Sequence, residues 1–172
     1  MTKYIAFLRG INVGNIRIKM TDLKACFEQL GCTNVTTFLQ TGNVVFNSDK
    51  NIQDLKIIIE KGLSETFKYE AYVLLYEFDN LQKIIDNYPF EKEENHHAYV
   101  IFMDKKSVFE ELKTLAQTVG EEASKIAFGD TFFYWKVVVG ETLHTPFAKI
   151  MAKAKYKSST TTRNINTLEK MV

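Results

Sequence analysis

The sequence predicts an α+β protein built from two successive split β-α-β units. Three observations carry this reading. Short apolar runs rich in aromatic and β-branched residues alternate with stretches of helical periodicity. The order β-α-β-β-α-β is complete over residues 3–77. Most of that order then recurs over residues 97–155, as β-α-β-β-α. Split β-α-β units make an antiparallel sheet with both helices on one face.

Each element follows from local chemistry. Tyr4 to Leu8 is short and apolar, a buried strand. A loop through Gly10 and Gly14 leads to Thr21, which is placed to cap a helix with Leu23, Cys26, Phe27 and Leu30 on one face; Gly31 stands where a terminating glycine belongs. Val35 to Gln40 and Val44 to Phe46 read as paired strands around a Thr41-Gly42-Asn43 turn. Asn51 caps a second helix, with Ile52, Leu55, Ile59 and Leu63 at helical spacing, and Ala71 to Tyr76 is the fourth strand. A short helix from Asp79 to Tyr88 stops near Pro89, and the polar stretch Glu91 to His97 reads as a linker.

In the second half, Ala98 to Met103 is a strand, and Ser107 with Glu110 forms a capping box before a helix carrying Phe109, Leu112 and Leu115. Lys125 to Phe128 and Phe132 to Val138 form a hairpin around Gly129-Asp130. Thr145 followed by Pro146 opens another helix. Thr160 to Val172 reads as a terminal helix, which leaves this half one strand short. The halves are expected to span residues 1–90 and 91–172.

Composition sets bounds on function. With 45% hydrophobic and 25% charged residues, the chain is ordinary for a globular protein. No apolar run reaches the length of a membrane span, and the N-terminal stretch lacks a small-residue cleavage site, so a cytoplasmic protein without a membrane partner is expected. Cys26 and Cys32 fit two reduced, half-buried thiols. Net charge is only +1, yet it is unevenly spread. Residues 1–48 hold five basic and two acidic groups, residues 49–122 nine and sixteen, and residues 123–172 eight and three. An anionic ligand is therefore drawn to the two ends of the chain.

Topology sharpens that expectation. A crossover from strand one makes strand two parallel to it, so the loop after strand one and the turn after strand two lie at one sheet edge. This juxtaposes Arg9-Gly10-Ile11-Asn12-Val13-Gly14 with Gln40-Thr41-Gly42-Asn43, two glycine- and amide-rich segments without an acid. Arg9, Arg17 and Lys19 add fixed positive charge, and the loop runs toward a helix N-terminus, where amides favour an anion. Between Glu141 and Glu169 there is again no acid, while Lys149, Lys153, Lys155, Lys157 and Arg163 are present beside the donor-rich Thr160–Asn164. The glycines also suit tight turns alone, and Arg163, Asn164 and Asn166 also suit capping and docking of a helix.

Three of these segments resemble the signature motifs of the domain of unknown function 1697 family, an uncharacterised and mainly bacterial family. They are Leu8-Arg9-Gly10-Ile11-Asn12-Val13-Gly14, Gln40-Thr41-Gly42-Asn43-Val44-Val45-Phe46 and Thr161-Thr162-Arg163-Asn164-Ile165-Asn166-Thr167. The resemblance implies a tandem ferredoxin-like fold: two ferredoxin-like (split β-α-β) halves, here with the second incomplete and a C-terminal helix. Where Ile165 stands the family usually has tryptophan, and where Thr41 stands serine is commoner. The family name confers no activity.

The expected function is binding of an anionic ligand, either a phosphate-bearing small molecule or a nucleic acid. The expected ligand-binding residues are Arg9, Gly10, Asn12, Gly14, Lys19, Gln40, Thr41, Gly42, Asn43, Lys149, Thr162, Arg163, Asn164 and Asn166. A second possibility is an enzyme in which Arg9 and Arg163 hold an anionic substrate; a third is a structural or interaction protein. The motifs contain no Asp, Glu, His or Cys, so no catalytic residue is assigned. No metal site and no cofactor are expected: His96 and His97 are adjacent, and His144 has no ligand-type neighbour at metal spacing. A homo-oligomer remains open.

Overall fold

The computed structural model describes residues 1–12, 14–38 and 42–172. The fold is mixed α+β, with two four-stranded antiparallel sheets. The chain divides into two compact units, Met1–Gln82 and Lys83–Lys170.

The first unit runs β1 (Thr2–Arg9), α1 (Met20–Gln29), β2 (Thr33–Phe38), β3 (Asn43–Ser48), α2 (Ile52–Phe67) and β4 (Tyr72–Glu77), with strand order β2-β3-β1-β4. Alternation along the strands sends Tyr4, Ala6 and Leu8 of β1, Val44 and Phe46 of β3, and Val73 and Leu75 of β4 into one core. Leu23, Cys26 and Phe27 of α1 and Leu55, Ile59 and Leu63 of α2 fill it from the helical side. Each fully buried Val, Leu, Ile or Phe among them contributes roughly 1.5–3 kcal/mol. The opposite faces of these strands are buried as well, at Ile5, Phe7, Val45 and Leu74. A Cβ on Gly62 would lie 2.7 Å from both methyls of Leu30, so the absent side chain is what lets α1 rest its last leucine on α2.

The exposed edge of β4 is closed by α2. Lys56 and Glu60 pair at 2.6 Å; Lys56 Nζ donates to the Val73 carbonyl at 2.7 Å, and Glu60 Oε1 accepts from the Val73 N–H at 3.0 Å. One helical ion pair thus satisfies both outward backbone groups of an edge residue.

After β4 comes α3 (Asp79–Asp86), and the division between the units falls inside it. The second unit continues with β5 (His96–Met103), α4 (Lys106–Ala116), β6 (Ile126–Phe128), β7 (Phe132–Val138), α5 (Pro146–Met151), β8 (Thr160–Asn164) and α6 (Ile165–Glu169). Its strand order is β6-β7-β5-β8. Ile101, Met103, Phe133, Trp135 and Val137 form the sheet side of its core, against Phe109, Leu112, Phe147 and Tyr156. Phe133 meets Phe109 at a centroid distance of 5.1 Å, and Trp135 meets Phe147 at 5.4 Å. On the other face Tyr134 is buried, and its hydroxyl donates to the Ile84 carbonyl at 2.6 Å.

Several sequence expectations are corrected. The second half is not one strand short: Thr160–Asn164 is a strand paired with β5, with Thr160 opposite Met103 and Asn164 opposite Tyr99. Consecutive threonines are β-branched and favour extended backbone, and β5 offers them a free edge, so only the five residues Ile165–Glu169 remain for the terminal helix. Thr21 does not cap α1; the cap is Lys19, without a side-chain hydrogen bond. Ser107 lies inside α4, whose cap is Lys105, so the proposed capping box does not form. His96 and His97 belong to β5 rather than to a linker. Three local signals hold. Asn51 accepts from the Asp54 N–H at 2.9 Å, Thr145 accepts from the Ala148 N–H at 3.0 Å, and Gly31 takes φ +90° after α1. Cys26 and Cys32 are free and buried.

Candidate functional site

The end of β1 and the start of β3 meet at one edge of the first sheet. Phe7 lies opposite Asn43, and the Leu8 N–H donates to the Gly42 carbonyl at 2.8 Å. A Cβ on Gly42 would stand 2.7 Å from Ile11 Cδ1 and 2.8 Å from Leu8 Cβ, and Gly42 has φ +79°. Only glycine accepts both that backbone and that contact. Gly42 and Asn43 are therefore packed against the end of β1 and the start of the loop after it, as the crossover topology requires.

The 9–19 loop takes left-handed backbone at Gly10, Asn12 and Gly14, with φ of 75°, 54° and 55°. Asn12 Oδ1 accepts from the Ile18 N–H at 3.0 Å and so ties the loop across its base, while Ile11 and Ile18 are buried beneath it. Arg9 is half-buried, and burial holds its guanidinium below the ordinary arginine range. Gly10, Gly14, Arg17 and Lys19 are exposed. The nearest acid in sequence, Asp22, sits in the first turn of α1. Asn43 is buried, and its Nδ2 donates to the Phe38 carbonyl at 3.1 Å, so its amide holds the β2–β3 connection. Gln40 and Thr41 lie outside the described residues.

The remaining expected residues belong to the second unit. Arg163 Nη1 donates to Thr161 Oγ1 at 2.5 Å and to the Thr162 carbonyl at 3.0 Å, folding the guanidinium back along β8. Asn164 caps α6 by accepting from the Asn166 N–H at 2.9 Å. Lys149 is exposed in the last turn of α5. Ile165 is buried.

Comparison with known protein families matches residues 1–134 to a protein family of unknown function, DUF1697. The chain belongs to this family. The DUF1697 match takes in both glycine-amide segments and ends before Thr161–Thr167, so the third motif rests on its own residues. Among solved structures the chain is similar to a conserved bacterial protein, SP0830, from Streptococcus pneumoniae. That likeness has a TM-score of 0.79 at 22% identity and covers 99% of this chain and 96% of the other. At that identity the likeness shows the fold alone. No curated protein matches.

Asn164 and Asn166 have neighbours that the motifs did not predict. With His96, His97, Lys136 and the 91–94 loop they line a cavity in the second unit. No sequence signal marks it, because its residues come from separate parts of that unit. Among the described residues, no three His, Cys, Asp or Glu side chains gather as a metal-binding group, and no helix is long and apolar enough to cross a membrane.

Proposed function

We propose that the chain is an anion-binding module, with the ligand held on the 9–19 loop beside the Gly42 turn. Each unit is read as ferredoxin-like, because the strand orders β2-β3-β1-β4 and β6-β7-β5-β8 repeat one split β-α-β plan. The observation that carries the functional reading is the close packing of Gly42 against Leu8 and Ile11. It sets Gly42 against the loop that leaves β1, and no acid occurs in sequence in either motif. Left-handed residues such as Gly10, Asn12 and Gly14 are the kind that build amide concavities able to accept anions. Arg9, Arg17 and Lys19 supply the charge, and Arg9 is the half-buried one of the three.

The ligand class is a phosphate-bearing small molecule or a single-stranded nucleic acid. Calorimetric titration with pyrophosphate, mononucleotides and a mixed-sequence RNA oligonucleotide tests it, with Arg9→Ala and Lys19→Ala as variants. Each variant should weaken binding about 10-fold or more, as expected for lost charge-assisted hydrogen bonds. For RNA, a footprint on three cations predicts a log–log salt slope of about −2. Absence of binding, or affinities unchanged in both folded variants, would remove this reading.

A further inference from the structure

The second unit holds a cavity of about 290 Å³ where β5 begins and where β7 and β8 end. Small-molecule sites occupy roughly 300–1,000 Å³, so any occupant is small. On its floor is Lys136, opposite Ala98 in the sheet and only 6% exposed. An ammonium has three N–H donors and must be satisfied when buried. Its partner among the described residues is one oxygen of Glu93, at 3.3 Å, and that same oxygen lies 3.0 Å from His96 Nδ1. One carboxylate oxygen at the long end of hydrogen-bond range leaves Lys136 with donor capacity facing a space that holds no protein atom.

The rest of the lining has a definite charge pattern. Asn164 spends its Oδ1 on the cap of α6, and its Nδ2 has only a 3.5 Å approach to His97 Nδ1, so the amide can donate into the cavity. Glu91 and Glu94 line it too and are exposed, with no ion pair among the described residues. The neighbouring Lys92 is taken by Glu169 at 2.6 Å. The cavity therefore has a donor-bearing floor, at which Lys136 and Glu93 offset each other's charge, and a rim with two carboxylates that have no ion pair among the described residues. A plain anion is opposed by the rim, and a plain cation leaves the floor donors unused.

We infer that this cavity binds a small zwitterion of the free α-amino-acid class. The ligand's carboxylate takes the open donors of Lys136 and Asn164 Nδ2, and its ammonium is drawn to Glu91 and Glu94. The site lies wholly in the second unit and does not depend on the Gly10 loop.

Calorimetric titration with a panel of free L-amino acids tests this, alongside their amides and N-acetyl derivatives, which lack one charge each. At least one free amino acid should bind with a dissociation constant of about 1 mM or tighter. Both derivatives of it should bind about 10–100-fold more weakly, as should the parent acid to Lys136→Met. Should Lys136→Met fail to fold by circular dichroism, Asn164→Asp decides: it keeps an N-cap acceptor but sets a carboxylate against the ligand's own. No binding by any amino acid, equal binding of a derivative, or unchanged affinity in the deciding variant overturns the inference.

Discussion

The Gly42 carbonyl accepts the Leu8 N–H at 2.8 Å, and the α-carbon of Gly42 sits so close to Leu8 and Ile11 that no side chain fits between them. This contact couples the β1 exit to the β3 entry, and a comparison of two glycines measures its weight. Gly42→Ala meets a left-handed backbone that disfavours alanine by about 1–2 kcal/mol and an overpacking term of about 1–3 kcal/mol. Gly14 has φ +55° but open space around it, so Gly14→Ala should show the backbone term alone. Urea unfolding should therefore place Gly42→Ala well below Gly14→Ala. Equal midpoints would mean that the packed edge relaxes freely.

Two tyrosines of the second unit stack edge-to-face at 5.6 Å and have opposite hydrogen-bond fates. Tyr134 donates to the Ile84 carbonyl in the last turn of α3, whereas the Tyr88 hydroxyl is buried without a partner among the described residues. Tyr134→Phe should cost about 1–3 kcal/mol, since a buried carbonyl loses its donor. Tyr88→Phe removes a group that gained nothing on burial, so it should be neutral or stabilising. Melting temperatures of the two variants check the contrast, and a loss at Tyr88 equal to that at Tyr134 would contradict it.

The Lys56–Glu60 pair predicts an edge effect. Glu60→Ala leaves the Val73 N–H without its acceptor and should cost about 1–3 kcal/mol. Glu60→Gln keeps an acceptor in place and should cost less. Equal losses in chemical denaturation would show that charge, and not the backbone contact, is what matters.

Alkaline stability follows from buried acids. Burial pushes the Cys32 thiol up to about 11, and the phenols of Tyr69 and Tyr88 up to about 12. In the unfolded chain a thiol ionises near 8.5 and a phenol near 10. The folded state thus binds these protons more tightly. The stabilisation is complete below about pH 8.5 and is lost as pH rises through the folded values. Unfolding midpoints should fall from about pH 9 upward, and Cys32→Ala should flatten the first part of that fall. A midpoint that holds steady to about pH 11 would contradict the assignment.

Much of this molecule was written locally. Asn51, Thr145-Pro146 and Gly31 mark helix ends through bonds within a few residues, and the alternation in β1 and the four-residue spacing of Leu55, Ile59 and Leu63 select the core. The pairing of the Gly10 and Gly42 segments was legible too, because a crossover connection leaves one arrangement. Thr160–Asn164 was not: its residues suit several backbones, and only the free edge of β5 makes them a strand. Lys136 carries no mark of burial in the sequence, nor does anything there join it to Glu93 or Asn164. The sheet brings the ends of β5, β7 and β8 to one place, and hydrogen bonding between distant strands, not the chemistry of neighbouring residues, builds that cavity.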